Sequence, residues 1–93
     1  MANIRNFKKD VDYITSELII ECFTYDLLFP DKNKEELTSL ISDTVKFREQ
    51  LFNQINEVKR TSTVPVKSQF KKIRNTMEEQ VTGFVDRLSK LEQ

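Results

Sequence analysis

The chain predicts an all-α fold: an antiparallel, up-down-up three-helix bundle forming one domain over residues 1–93. Three observations predict it. Apolar residues recur three and four apart through three long stretches, which puts each set on one face of a helix. Both prolines, Pro30 and Pro65, fall between those stretches. The stretches are nearly equal in length and joined by short polar segments, an arrangement that packs helices as antiparallel neighbours.

The first helix is expected over about residues 4–29. Its stripe is Ile4, Phe7, Val11, Ile14, Leu18, Cys22, Tyr25 and Phe29, with spacings 3, 4, 3, 4, 4, 3, 4. From Leu18 onward the apolar arc widens, because Ile20, Phe23 and Leu27 form a second line beside the first. A helix apolar over so wide an arc has to be covered on more than one side. Either two helices of the same chain cover it or a second molecule does. Pro30 ends the helix, since proline disfavours helical geometry before it and has no N–H to donate.

The second helix is expected over about residues 34–59. Asn33 suits its N-cap and Glu36 would complete a capping box, with Asp31 as the competing cap. Glu35 and Glu36 complement the dipole of its first turn, and Lys59 and Arg60 that of its last. Its stripe is Leu37, Leu40, Thr44, Phe47, Leu51, Ile55 and Val58, widened by Ile41, Val45 and Phe52. The third helix is expected over about residues 65–91. Pro65 suits its first position, capped by Thr63 or Val64. Its stripe is Val66, Phe70, Ile73, Met77, Val81, Phe84, Leu88 and Leu91. Gly83 is either a tolerated surface glycine or the mark of a close helix contact or slight kink.

Charged residues make up 32% of the chain and apolar ones 38%, a balance that fits a small folded helical protein rather than a disordered one. Cys22 is the single cysteine, so no intramolecular disulfide can form, which agrees with a reducing, cytoplasmic setting. On its stripe it reads as a small core hydrophobe. Charges at Arg5, Lys8, Lys9, Asp10 and Asp12 argue against a secretory leader. Glu21 and Asp26 break the one apolar stretch that approaches a membrane span.

The net charge is zero, but its distribution is not even. In an up-down-up bundle, residues 1–12 and about 53–76 share one end. That end holds Arg5, Lys8, Lys9, Lys59, Arg60, Lys67, Lys71, Lys72 and Arg74 against Asp10, Asp12 and Glu57, a net +6, and leaves −6 on the rest. The helix dipole accounts for Lys59 and Arg60. It does not account for Lys67, Lys71, Lys72 and Arg74, which open a helix. Lys8, Lys9, Lys67, Lys71, Lys72 and Arg74 are therefore the candidate anion-binding set. Nucleic acid is the less favoured ligand. The nearby aromatics Phe7 and Phe70 lie on core stripes, and no DNA-binding signature occurs.

Catalytic chemistry is poorly supplied. There is no His to act as base or metal ligand, and the lone Gly83 rules out a glycine-rich phosphate loop. The acidic pairs Glu35-Glu36 and Glu78-Glu79 read as solvated helix surface. Thr61, Ser62 and Thr63 read as a polar connection. The sequence thus predicts no enzyme, no metal and no cofactor.

The opening Asn3-Ile4-Arg5-Asn6-Phe7-Lys8-Lys9-Asp10-Val11 resembles the start of small all-helical bacterial proteins with no assigned function. The resemblance covers the first helix. It implies a cytoplasmic bacterial protein and brings no functional residues with it.

The expected function is protein–protein interaction, as a homodimer or with another protein, and not at a membrane. The candidate self-association surface is Ile19, Ile20, Phe23, Leu27, Ile41 and Val45, with Leu28 and Val85 adding to the surplus of apolar residues. A three-helix core leaves such residues over, and a large leftover patch marks an interface. The alternative is anion or nucleic-acid binding through the basic end.

Overall fold

A computed structural model describes residues 4–58 and 63–91, and the side chain of Ile4 is not among what it describes. Three helices follow in order: α1 over Ile4–Leu28, α2 over Lys34–Asn56 and α3 over Val66–Leu91. No strand occurs among the described residues. The molecule measures 51 × 19 × 18 Å, the shape of parallel rods rather than a ball.

Contacts at both ends fix the direction of each rod. At one end the Phe7 and Phe70 rings meet with centroids 5.6 Å apart, and Arg74 pairs with Asp10 at 3.6 Å. At the other, the Tyr25 hydroxyl donates to the Leu91 carbonyl at 2.9 Å. The first and third helices therefore run the same way. Between them α2 runs back, with Arg48 on Asp12 and Phe47 against Phe84. The up-down-up bundle expected from the sequence is the fold observed. α2 packs extensively on both partners, whereas α1 and α3 touch least.

The core follows the stripes with local changes. Val11, Leu18, Cys22, Leu40, Leu51, Ile55, Met77 and Leu88 are among its buried residues. In α1 the buried position is Thr15 rather than Ile14, which is half-buried. Thr15 and Thr44 stay inside because each hydroxyl donates to a carbonyl one turn back, Val11 and Leu40, both at 2.8 Å. A buried hydroxyl satisfied in this way avoids the desolvation cost of an unpaired one.

The helix ends depart from the sequence reading at three places. Asn33 occupies the N-cap position of α2, but its backbone is left-handed (φ 55°) and its side chain makes no capping bond. The amide donates instead to the Tyr25 hydroxyl at 2.8 Å and the Leu91 carbonyl at 3.4 Å. The expected capping box with Glu36 gives way to a polar knot tying the first turn to the ends of α1 and α3. Asparagine tolerates this left-handed geometry better than most residues. Asp31 does not cap α2 either; it has φ 66° and pairs with Lys34. Second, α2 stops at Asn56 with Glu57 as its C-cap, short of the expected Lys59. Lys59, Arg60, Thr61 and Ser62 lie outside the described residues. Third, Pro65 precedes α3 as its cap rather than opening it, because its carbonyl accepts the first helical bond, from the Gln69 N–H at 3.1 Å.

Gly83 is a surface glycine. It has no positive φ, and a Cβ built there meets nothing within 4 Å. The close-contact reading is set aside. Gly83→Ala is expected to raise the unfolding free energy by about 0.5–1 kcal/mol, since alanine gives up less backbone entropy in a helix. Urea denaturation followed by circular dichroism checks this; a loss of stability would show a contact that the structure does not contain.

Candidate interaction surface

The outward face of α1 carries the main surplus of apolar surface. Tyr13, Ile20, Phe23 and Leu27 are 68%, 54%, 55% and 81% exposed. With exposed Ser16 they are spaced 3, 4, 3 and 4 apart, the a/d spacing of a coiled-coil seam. The core stripe of the same helix passes through Val11, Leu18, Cys22 and Tyr25. Ile20 lies two residues from both Leu18 and Cys22, so at about 100° per residue it points away from the core. α1 is thus apolar on two opposed faces, and the bundle uses one.

The surface extends onto α2. A shallow cleft of about 200 Å³ runs between the helices, lined by Phe23 and Asp26 of α1 and by Leu37, Thr38 and Ile41 of α2. Ile41 packs partly against the core, and Val45, one turn further along α2, is 41% exposed. Of the six candidate self-association residues, Ile20, Phe23, Leu27 and Val45 are exposed, and Ile19 and Ile41 are half-buried. Phe23 and Ile41 share the cleft, which connects the two helices' contributions. Tyr13 belongs to the same seam and was missed by the sequence reading. Its spacing of seven from Ile20 was the available signal. Leu28 and Val85 are exposed as well, but neither lies on the seam.

Cys22 lines the bottom of this cleft and is buried as a residue. Burial pushes its thiol above the ordinary value; the Glu21 carboxylate adds to the rise and the Arg87 guanidinium opposes it. A thiol that is both covered and protonated is a poor nucleophile. Maleimide or disulfide reagents near pH 7.5 are therefore expected to label Cys22 at least about a hundredfold more slowly in the native protein than in denaturant. Labelling at comparable rates would place the sulfur outside the core.

The charged residues sort into two groups. Three arginines each bridge one helix pair: Arg48 to Asp12 at 2.7 Å, Arg74 to Asp10 at 3.6 Å and Arg87 to Asp43 at 3.0 Å. Each also lies over a ring, at 4.4 Å from Phe52, 4.7 Å from Phe7 and 5.8 Å from Phe84. A planar guanidinium can take a carboxylate at its edge and an aromatic at its face, which a lysine ammonium does less well. Exposed pairs of this kind contribute only about 0.2–1 kcal/mol each. Their use is to fix the register of the rods. This repeated arrangement was not foreseen from the sequence, because the partners are far apart along the chain.

Arg74 is thereby committed to Asp10 and Phe7. The other five candidate cations, Lys8, Lys9, Lys67, Lys71 and Lys72, take part in no ion pair among the described residues. They do not share one direction. Lys67 and Lys71 are one turn apart on the side of α3 that holds Arg74. Lys72 instead lines the groove between α2 and α3, beside Glu57, Gln54 and Gln69. The basic end is real among the described residues, but its cations are spread around the circumference.

These features define a three-helix bundle with a fully formed core and one unused apolar helix face. No helix among the described residues is long and apolar enough to cross a membrane. No family model, no curated protein and no solved structure matches the chain.

Proposed function

We propose that this protein is a non-catalytic helical interaction module that self-associates as a homodimer through the outer face of α1. The observation that carries the proposal is the exposed seam of Tyr13, Ile20, Phe23 and Leu27, continued by Ile41 and Val45 across the α1–α2 cleft. Apolar side chains set singly on a surface are ordinary. A run of them at seam spacing along one helix favours burial against a second helix. A cytoplasmic setting belongs to the same reading and is supported by the single, covered thiol.

Sedimentation velocity over a wide concentration range tests it. The expected result is a reversible rise from about 11 kDa toward twice that mass. A single 11.0 kDa species at every concentration, up to the millimolar range, would remove self-association. Binding of an anion or nucleic acid at the basic end has weaker support, because Arg74 is taken up in a salt bridge and Lys72 diverges from Lys67 and Lys71. That reading requires retention on heparin at low salt, lost on reversing Lys67 and Lys71.

A further inference from the structure

The last carbonyls of a helix have no partner within the helix itself. At the end of α3 the Leu91 carbonyl finds one elsewhere. It accepts from the Tyr25 hydroxyl at 2.9 Å and from the Asn33 amide at 3.4 Å, and the same amide donates to the Tyr25 hydroxyl at 2.8 Å. Side chains of α1 and of the α1–α2 turn thus cap the C-terminal end of a third helix. The contacts around that end are thin. Leu88 is the last buried residue before it, and Leu91 is half-buried. At the opposite end of the bundle α1 and α3 share a ring contact and an ion pair, Phe7–Phe70 and Asp10–Arg74. Further along, Ile14 lies one turn past Asp10 and Val81 two turns past Arg74, on the sides these helices turn to each other, and both are only half-buried. On its other flank the end of α3 borders a cleft of about 380 Å³ against α2, lined by Glu36, Ser39, Leu40, Lys90 and Leu91.

Asn33 gives up an ordinary role to make these bonds. A capping asparagine has an extended backbone, and its side-chain oxygen accepts from an N–H in the first turn of the helix. Asn33 stands at the N-cap of α2, with Glu36 at the third helical position, yet its φ is 55° and its side chain forms no capping bond. Asp31, two residues earlier, is left-handed as well, at φ 66°. Left-handed residues other than glycine persist where surrounding contacts hold them. Cap and latch need different backbone conformations at Asn33, so each excludes the other. We propose that Asn33 is a two-position conformational switch. In one position it latches the end of α3 through Tyr25 and Leu91. In the other it caps α2 while the last two turns of α3, about residues 85–91, come away from the bundle. A thinly held segment beside a two-state element opens without unfolding the rest. Opening uncovers Leu40 and Leu88, both buried in the latched form. The device does not depend on self-association, since Tyr25 belongs to the core and not to the exposed face of α1.

Amide hydrogen exchange of the full chain, followed by nuclear magnetic resonance, tests this, because it reads local opening residue by residue. Tyr25→Phe keeps the ring and removes the hydroxyl that Asn33 and Leu91 share. It is expected to speed exchange in residues 85–91 by about tenfold and to leave residues 70–77 unchanged. It is also expected to slow the Glu36 N–H by about threefold, as Asn33 turns to cap it. That slowing separates a switch from a lost contact, which by itself only speeds exchange. Asn33→Gly accepts the left-handed backbone but has no side-chain amide. It is expected to speed the end of α3 by about threefold and to give Glu36 no protection. Uniform acceleration across all three helices in Tyr25→Phe would make the hydroxyl one more contribution to global stability and overturn the proposal. A Glu36 N–H that is not slowed in Tyr25→Phe would overturn it too. Should Tyr25→Phe fail to fold, Asn33→Gly decides, and an unchanged end of α3 in that variant overturns the latch.

Discussion

Replacing Leu51 by alanine is expected to lower the unfolding free energy by about 2–5 kcal/mol. Leu51 sits in the middle of α2 at 1% exposure, within a core shared with Val11, Ile55 and Met77. α2 is the helix that both others pack on, so a cavity here opens against all three rods. The loss has two parts, the transfer of the removed methyl and methylene groups and the incomplete collapse of neighbours into the space. Against the roughly 5–15 kcal/mol typical of a domain, it is a large fraction of the whole. The melting midpoint should fall by about 4–8 °C for each kcal/mol lost. Leu27→Ala is the matched control. It removes the same atoms from a side chain that is 81% exposed, and should change monomer stability by no more than about 0.5 kcal/mol. Urea denaturation of both variants at low protein concentration, where a dimer contributes little, measures the contrast. Equal losses would mean that Leu27 is covered in the monomer, and the surface argument would then fail.

Ile20→Lys is expected to abolish self-association while leaving the helix content unchanged. Ile20 is 54% exposed at the middle of the seam, and its substitution places a cation where the partner's apolar side chains would close. A twofold interface meets the change twice, once from each subunit. Two disruptions of about 2 kcal/mol each at central interface positions weaken a dimer by about a thousandfold. The monomer tolerates the lysine, because its charged head stays in water. Sedimentation velocity reads the mass and circular dichroism the fold. Lys46→Glu is the control, since Lys46 lies across the molecule in the groove between α2 and α3 and should leave the dimer intact. An unaltered dimer in Ile20→Lys would move the interface off α1. Loss of helix content would show that Ile20 supports the monomer core.

The apolar stripes were legible because a helix repeats every 3.6 residues whatever it packs against. Phe7, Val11, Leu18, Leu40, Phe47, Phe70 and Met77 are buried where the spacing placed them. The shift from Ile14 to Thr15 was not legible, since a threonine satisfied by a carbonyl one turn back looks polar in a sequence and behaves as apolar in a core. Asn33 shows a different limit. Its residue type suits a cap, and only the arrival of Tyr25 and Leu91 beside it supplies the competing partners that draw its amide away. Among the exposed residues, surplus apolar character was visible from composition and arc width. Tyr13 escaped because it precedes the widened part of the arc, although the structure leaves it on the same face.

Local pattern alone determined that there are three helices, that the two proline-bearing segments separate them, and that the first has more apolar surface than one interface needs. Those properties depend on neighbours three and four residues away and on two prolines, all written in consecutive sequence. Tertiary structure decided which apolar line is covered, which acids are neutralised by Arg48, Arg74 and Arg87, and how far the lysines of one end diverge. Such choices depend on the rotation of each rod about its own axis. That rotation is a compromise among all three contact faces at once, and no single stretch of the chain contains it.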